Sequence, residues 1–141
     1  MSRSETENPA VTLYKRVMLV SIVLNMIVAV LILFAPDFFT HTLHQPDAYP
    51  DTWPRHWGAQ LVAINLLYLP GYWQPLENRW PNWCGVGIRL CFAVFFFTQS
   101  SGFHFMGIYD GSFGLALLLT YARALKSASG AGAPTMGAAV S

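Results

Sequence analysis

Charge is scarce in this chain. Charged residues fill 11% of the 141 positions and hydrophobic ones 54%, with a mean hydropathy of +0.39; an average soluble domain carries roughly 25% charged residues. The net charge is +1 and there is no basic stripe, which excludes nucleic-acid binding driven by bulk charge. Cysteine is scarce as well: two residues, Cys84 and Cys91, cannot build a secreted disulfide framework. Also absent are a hydrolase elbow, a phosphate-cradling glycine loop and a zinc-protease helix. No internal repeat is evident, and the length suits one compact helical unit with no separate soluble domain.

What the chain has is uninterrupted hydrophobic sequence. From Val17 to Ala35 run nineteen uncharged residues, VMLVSIVLNMIVAVLILFA, after Lys15-Arg16 and before Pro36-Asp37. At 1.5 Å per residue this covers roughly 28 Å, about the hydrocarbon thickness of a bilayer. It is too long for a signal-peptide core, and the bulky Phe34-Ala35-Pro36-Asp37-Phe38 offers no cleavage site. A chain this short has little surface with which to wrap a helix apolar all round. The segment is read as membrane-spanning.

Three further spans are expected: 57–73, possessing Gln60, Asn65 and a kink or fray at Pro70; 83–100, interrupted by Arg89; and 103–125, containing Asp110. The expected fold is all-α, an up-and-down bundle of four membrane helices over 15–126. Residues 1–14 read as a polar tail and 127–141 as a disordered one. Arg3, Lys15, Arg16, Arg79, Arg123 and Lys126 fall on one side of such a bundle and only Arg55 on the other. That bias puts both termini in the cytoplasm, in a bacterial inner membrane with its first and third loops facing the periplasm. Aromatic residues such as Trp53, Trp57, Trp80, Trp83 and Tyr109 crowd the span ends as an interfacial belt does.

Two charges lie inside spans. Arg89 is about six residues, or roughly 9 Å, from one end of its span, and Asp110 about seven residues, roughly 10 Å, from the opposite face. An intramembrane charge costs at least ~2.5 kcal/mol and is a functional candidate by default. Two arrangements are open: an Arg89–Asp110 pair inside the bundle, or Arg89 snorkelling to the headgroups with Asp110 at a wet helix start. Gly107, Asp110, Gly111 and Gly114 share one side of the fourth span, so this face is expected to meet another helix closely. Asn25, with Ser21 and Ala29 at four-residue spacing, marks a comparable stripe on the first. For Asn25, Gln60 and Asn65 the expectation is interhelical hydrogen bonding rather than ligand contact.

All four histidines, His41, His44, His56 and His104, fall on the outer side of this topology. Imidazole is a common ligand of zinc and copper, so a periplasmic metal or haem site is one reading; interfacial histidines bonded to water or phosphate are the other. A haem between the helices is disfavoured because no histidine lies near the bilayer centre. Cys84 and Cys91, seven apart on one helix face, lack the C-x-x-C pairing of quinone-coupled thiol oxidases and are expected to be small core residues. The acidic residue on which four-helix multidrug transporters depend is missing from the first span.

Taken together, Arg55-His56-Trp57-Gly58, Ile88-Arg89-Leu90 and Asp110-Gly111-Ser112-Phe113-Gly114 resemble the small four-helix bacterial membrane proteins of the DoxX-like group, over most of residues 15 to 125. The resemblance implies an accessory place in a membrane redox system, with Arg89 and Asp110 as recurring polar anchors and no catalytic residue to carry over. The leading expectation is therefore a non-catalytic inner-membrane subunit that docks onto other integral membrane subunits, those of a quinone-linked electron-transfer complex, or onto copies of itself. Phe92, Phe95, Phe96 and Phe97 would give it an apolar surface for lipid, partner helices or a quinone tail. The second expectation is a protein that binds or transports a small hydrophobic molecule, quinone or lipid, with Arg89 and Asp110 fixing a polar head. The third is a redox protein using the outer histidines.

Overall fold

A computed structural model describes residues 8–47 and 49–131. They are helical, with no strand among the described residues. The first helix, α1 (Pro9–Phe34), starts well before the uncharged run, because Asn8 caps it: Asn8 Oδ1 accepts from the Ala10 N–H at 3.0 Å and Pro9 fills the first helical position. Residues 9–14 are thus helix rather than tail, while 1–7 lie outside the described residues. Pro36 ends α1 and opens the short α2 (Pro36–Thr42). There follow α3 (Thr52–Trp73), α4 (Arg79–Phe97), a 3-10 turn (Ser101–Phe103) and α5 (His104–Ala131). The expected disordered tail therefore begins as helix over 127–131, and 132–141 lie outside the described residues.

Among the described residues three segments are long and apolar enough to cross a membrane: Pro9–Phe34, Arg79–Phe97 and Ser101–Gly130. The expected span over 57–73 is a helix, yet it does not qualify alone, since α3 carries Arg55, His56, Gln60, Asn65 and Pro70 along its length.

On α1 the buried residues Val11, Tyr14, Met18, Ser21, Asn25, Ala29 and Ile32 recur every three or four positions, a single seam facing the other helices. Away from that seam Leu19, Val20, Val23, Ile27 and Val30 are exposed. A helix apolar on its outer side as well as its inner one is built for lipid rather than water.

Contacts close the long helices into a ring. Gly58 of α3 lies against Ala29 and Leu33 of α1, Gly85 of α4 against Tyr68 of α3, and Gly107 of α5 against Ala93 of α4. Tyr14 and Tyr121 complete it, their rings 4.8 Å apart between α1 and α5. One half of the interior is an apolar and aromatic cluster centred on Tyr14, Met18, Tyr68, Val86, Leu117 and Tyr121. At that end Asn8 donates to Ser127 Oγ at 2.6 Å and Lys15 Nζ to the Trp73 carbonyl at 3.1 Å. The first and last described turns are therefore neighbours. At the other end Arg55 donates to the Leu33 carbonyl at 2.7 Å.

The α3–α4 corner is held by a residue outside the sequence candidates. Asn82, buried at 1% exposure, donates through Nδ2 toward the carbonyls of Gly71, Pro75 and Asn78 at 3.2, 3.2 and 3.3 Å. Tyr121 adds a hydroxyl bond to Pro75 O at 2.9 Å. Proline at 70 removes a helix donor, and the corner just beyond it leaves carbonyls that lipid could not satisfy. Gly71 has no room for a side chain, because a Cβ there would run into Asn82 Oδ1. A Gly71→Ala variant is expected to lose about 1–3 kcal/mol of stability in detergent. Gly87→Ala, where a Cβ meets nothing, should stay within about 0.5 kcal/mol; thermal unfolding of the pair checks the contrast.

Candidate functional site

Arg89 sits on the buried face of α4, in line with Asn82, Gly85, Val86, Ala93 and Phe96. A side chain on that seam starts inside the protein and cannot run up the lipid face. Only 3% of it is exposed. Its Nη1 donates to Asp110 Oδ1 of α5 at 2.7 Å, and its Nη2 to Ser21 Oγ of α1 at 2.7 Å. Of the two arrangements open in the sequence, the structure has the internal pair. One guanidinium joins three helices, and the rings of Tyr109 and Phe113 lie 5.9 and 5.6 Å from its Cζ, a distance at which cation–π attraction adds to the ion pair.

The reach of Asp110 depends on glycine. A Cβ on Gly107 would stand 3.2 Å from Ala93 O, and one on Gly114 2.8 Å from Leu90 Cδ2 and 3.4 Å from Arg89 Cβ. Gly111 meets Ala93 Cβ at 3.4 Å. All three are on the α4-facing side, so α5 approaches closely enough for a short carboxylate to meet the arginine.

Asn25, 5% exposed, accepts from the Tyr109 hydroxyl at 3.0 Å, an interhelical bond as expected. The other two amides differ from expectation. Gln60 pairs with His56 Nε2 at 3.0 Å within its own helix, because the two are four residues apart on one face. Asn65, 1% exposed, has no hydrogen-bond partner for either side-chain polar atom among the described residues.

The histidines do not gather. His41 lies 3.9 Å from Asp47, His56 is held by Gln60, and His104 Nε2 is 3.1 Å from the Gln99 carbonyl. His44 closes α2 in a left-handed conformation with φ of 53°. Among the described residues no group of three or more His, Cys, Asp or Glu side chains could hold a metal ion. His41, His44, His56 and His104 share one end of the molecule, but their rings do not converge there. The cysteine expectation is corrected. Cys91 is exposed and Cys84 half-buried, since the buried seam of α4 passes through Gly85 and Arg89 and leaves both beside it.

Two cavities flank the ion pair. The first, about 70 Å³, is lined by Asn25, Gln60, Arg89 and Asp110 together with aromatic residues including Trp57 and Tyr68. The second, about 200 Å³, is apolar and bordered by Leu24, Phe39, Leu43, Phe105 and Met106. Asn25, Trp57, Leu61 and Asp110 line both. The arrangement sets a polar wall, Arg89 and Asp110, beside an apolar cavity.

Three contributors were not among the sequence's charged candidates. Ser21 was visible only as part of the Asn25 stripe, Tyr109 only as an interfacial aromatic, and Trp57 only as a span end. The signal for Tyr109 is its place beside Asp110.

The chain matches no protein-family model, no curated protein and no solved structure. The site must speak for itself.

A Tyr109→Phe variant should keep the fold and lose about 0.6 kcal/mol, an ordinary interhelical hydrogen bond. Unfolding by denaturant in mixed micelles measures it; a loss several times larger would mean that Tyr109 also holds Arg89 in place.

Proposed function

We propose that the protein is a multi-pass membrane protein whose Arg89–Asp110 site binds a small amphipathic molecule. The carrying observation is a buried ion pair in the wall of one cavity, with an apolar cavity on the other side of the shared residues Asn25, Trp57, Leu61 and Asp110. In lipid a charged pair that serves only packing is expensive compared with apolar residues of the same volume. A polar wall beside an apolar cavity is the arrangement that fixes one end of an amphiphile.

In this reading α3 crosses the bilayer with the other three long helices, Asn65 buried among them and the exposed Gln60 and His56 bonded to each other, as a four-helix bundle in a bacterial inner membrane. Both tails lie on the cytoplasmic side. Support comes from the Asn8–Ser127 contact and from the six-to-one distribution of Lys and Arg, Arg89 apart, between the two ends of the expected bundle.

A second reading, an accessory subunit of a larger quinone-linked complex as the DoxX-like resemblance implies, is favoured by the outer face of α4. Gly87 there has open space beside it and Cys91 is exposed, among the exposed Phe92, Val94 and Phe95. Small residues on a lipid-facing surface let a partner helix approach. The two readings are compatible in one protein.

Mass spectrometry of organic extracts from protein purified in mild detergent tests the binding reading. The native chain is expected to bring down an amphiphile in near-stoichiometric amount, and a folded Leu61→Trp variant, which adds bulk to a wall that the two cavities share, to lose it. Equal recovery from both would refute the site. Protease access to the two tails from the cytoplasmic face tests the topology; tails on opposite faces would require an odd number of crossings.

A further inference from the structure

Resting on that binding reading, the geometry points to a ligand head that is uncharged and rich in hydrogen-bond acceptors, a carbonyl group on an apolar chain, rather than a carboxylate, a phosphate or an ammonium group. Charge gives the first reason. Arg89 and Asp110 neutralise each other at 2.7 Å, and no other Lys, Arg, Asp or Glu lines either cavity. A charged head would add an uncompensated charge in a medium that solvates it poorly. Hydrogen bonding gives the second. A guanidinium carries five N–H groups and no acceptor. One bonds Asp110 and one Ser21, and the buried Nε–H meets no partner among the described residues.

The apolar part follows from the second cavity. Leu24, Ile27 and Phe105 on its border are exposed on the outer surface, so it opens where lipid chains would be. Together the two cavities fall short of the roughly 300 Å³ at which pockets begin to enclose a drug-sized molecule. They suit a head and the first part of a chain, with the remainder lying in the bilayer.

The test uses the full-length protein in nanodiscs at pH 8, with empty discs to subtract partition. Three radiolabelled probes of comparable chain length are compared: 2-tridecanone, dodecanoate and dodecyltrimethylammonium. The ketone is expected to be retained by protein-containing discs about tenfold more tightly than either charged probe, and the Leu61→Trp variant to lose that retention. Should Leu61→Trp fail to fold, Gln60→Leu, which alters the lining without filling it, is expected to keep the preference for the ketone. Tighter retention of dodecanoate or of the ammonium would overturn the inference while leaving the binding site itself standing. Retention of none of the three above empty discs would sink the binding reading, and this inference with it. Equal retention of all three, or retention that ignores Leu61→Trp, would show partition rather than recognition and overturn the inference as well.

Discussion

A guanidinium that cannot reach water must be matched where it stands, and the structure is arranged around that demand. Arg89 is bonded to an acid rather than to water, and its position on the buried face of α4 closes the route to the headgroups. A carboxylate has to come to it. Asp110 can do so because Gly107, Gly111 and Gly114 bring α5 against α4, and Ser21 supplies a second acceptor from α1. Placing the pair therefore sets the spacing of three helices. Loss of one partner would leave the other buried and uncompensated, a far heavier cost than the absence of both.

The interior is divided. Around Tyr14, Tyr68 and Tyr121 it is filled by aromatic and aliphatic side chains, and the Asn82 clamp satisfies the carbonyls of the proline-bearing corner. Around Arg89 it is polar and incompletely filled, with both cavities on that side. Membrane helices gain nothing from excluding lipid as such and rely on close packing and hydrogen bonds. A region that gives up packing beside unmet polar atoms is where a bound molecule contributes most. Tightness at one end and space at the other are why we propose the second end as a site.

Much of this was legible in residue order. The uncharged run after Val17, Pro36 as its stop, the two intramembrane charges and the glycine face of α5 are local patterns that periodicity exposes. Pairing was harder to read, because helical rise gives depth along the membrane but not the rotation of one helix against another. The four histidines illustrate this: topology gathers them at one end, while ring directions and partners keep them apart. Asn82 went unnoticed because an asparagine in Trp80-Pro81-Asn82-Trp83 reads as loop, and only the folded corner shows which carbonyls it meets. Asn65 looked like an ordinary interhelical donor, and nothing in its neighbours announced that it would be buried without a partner. The apolar length of α1 was plain; α3 is marginal by composition, and of its two side-chain amides only Asn65 is covered by neighbours.

Whether the paired charges organise the fold is decided most directly by a double-mutant cycle on Arg89→Met and Asp110→Leu, with unfolding followed in mixed micelles. Each single variant is expected to lose about 3–5 kcal/mol, and the double variant, with no charge left unmatched, to lose clearly less than their sum and less than either alone. Losses that simply add would mean that the two residues stabilise the protein independently, and would contradict the account.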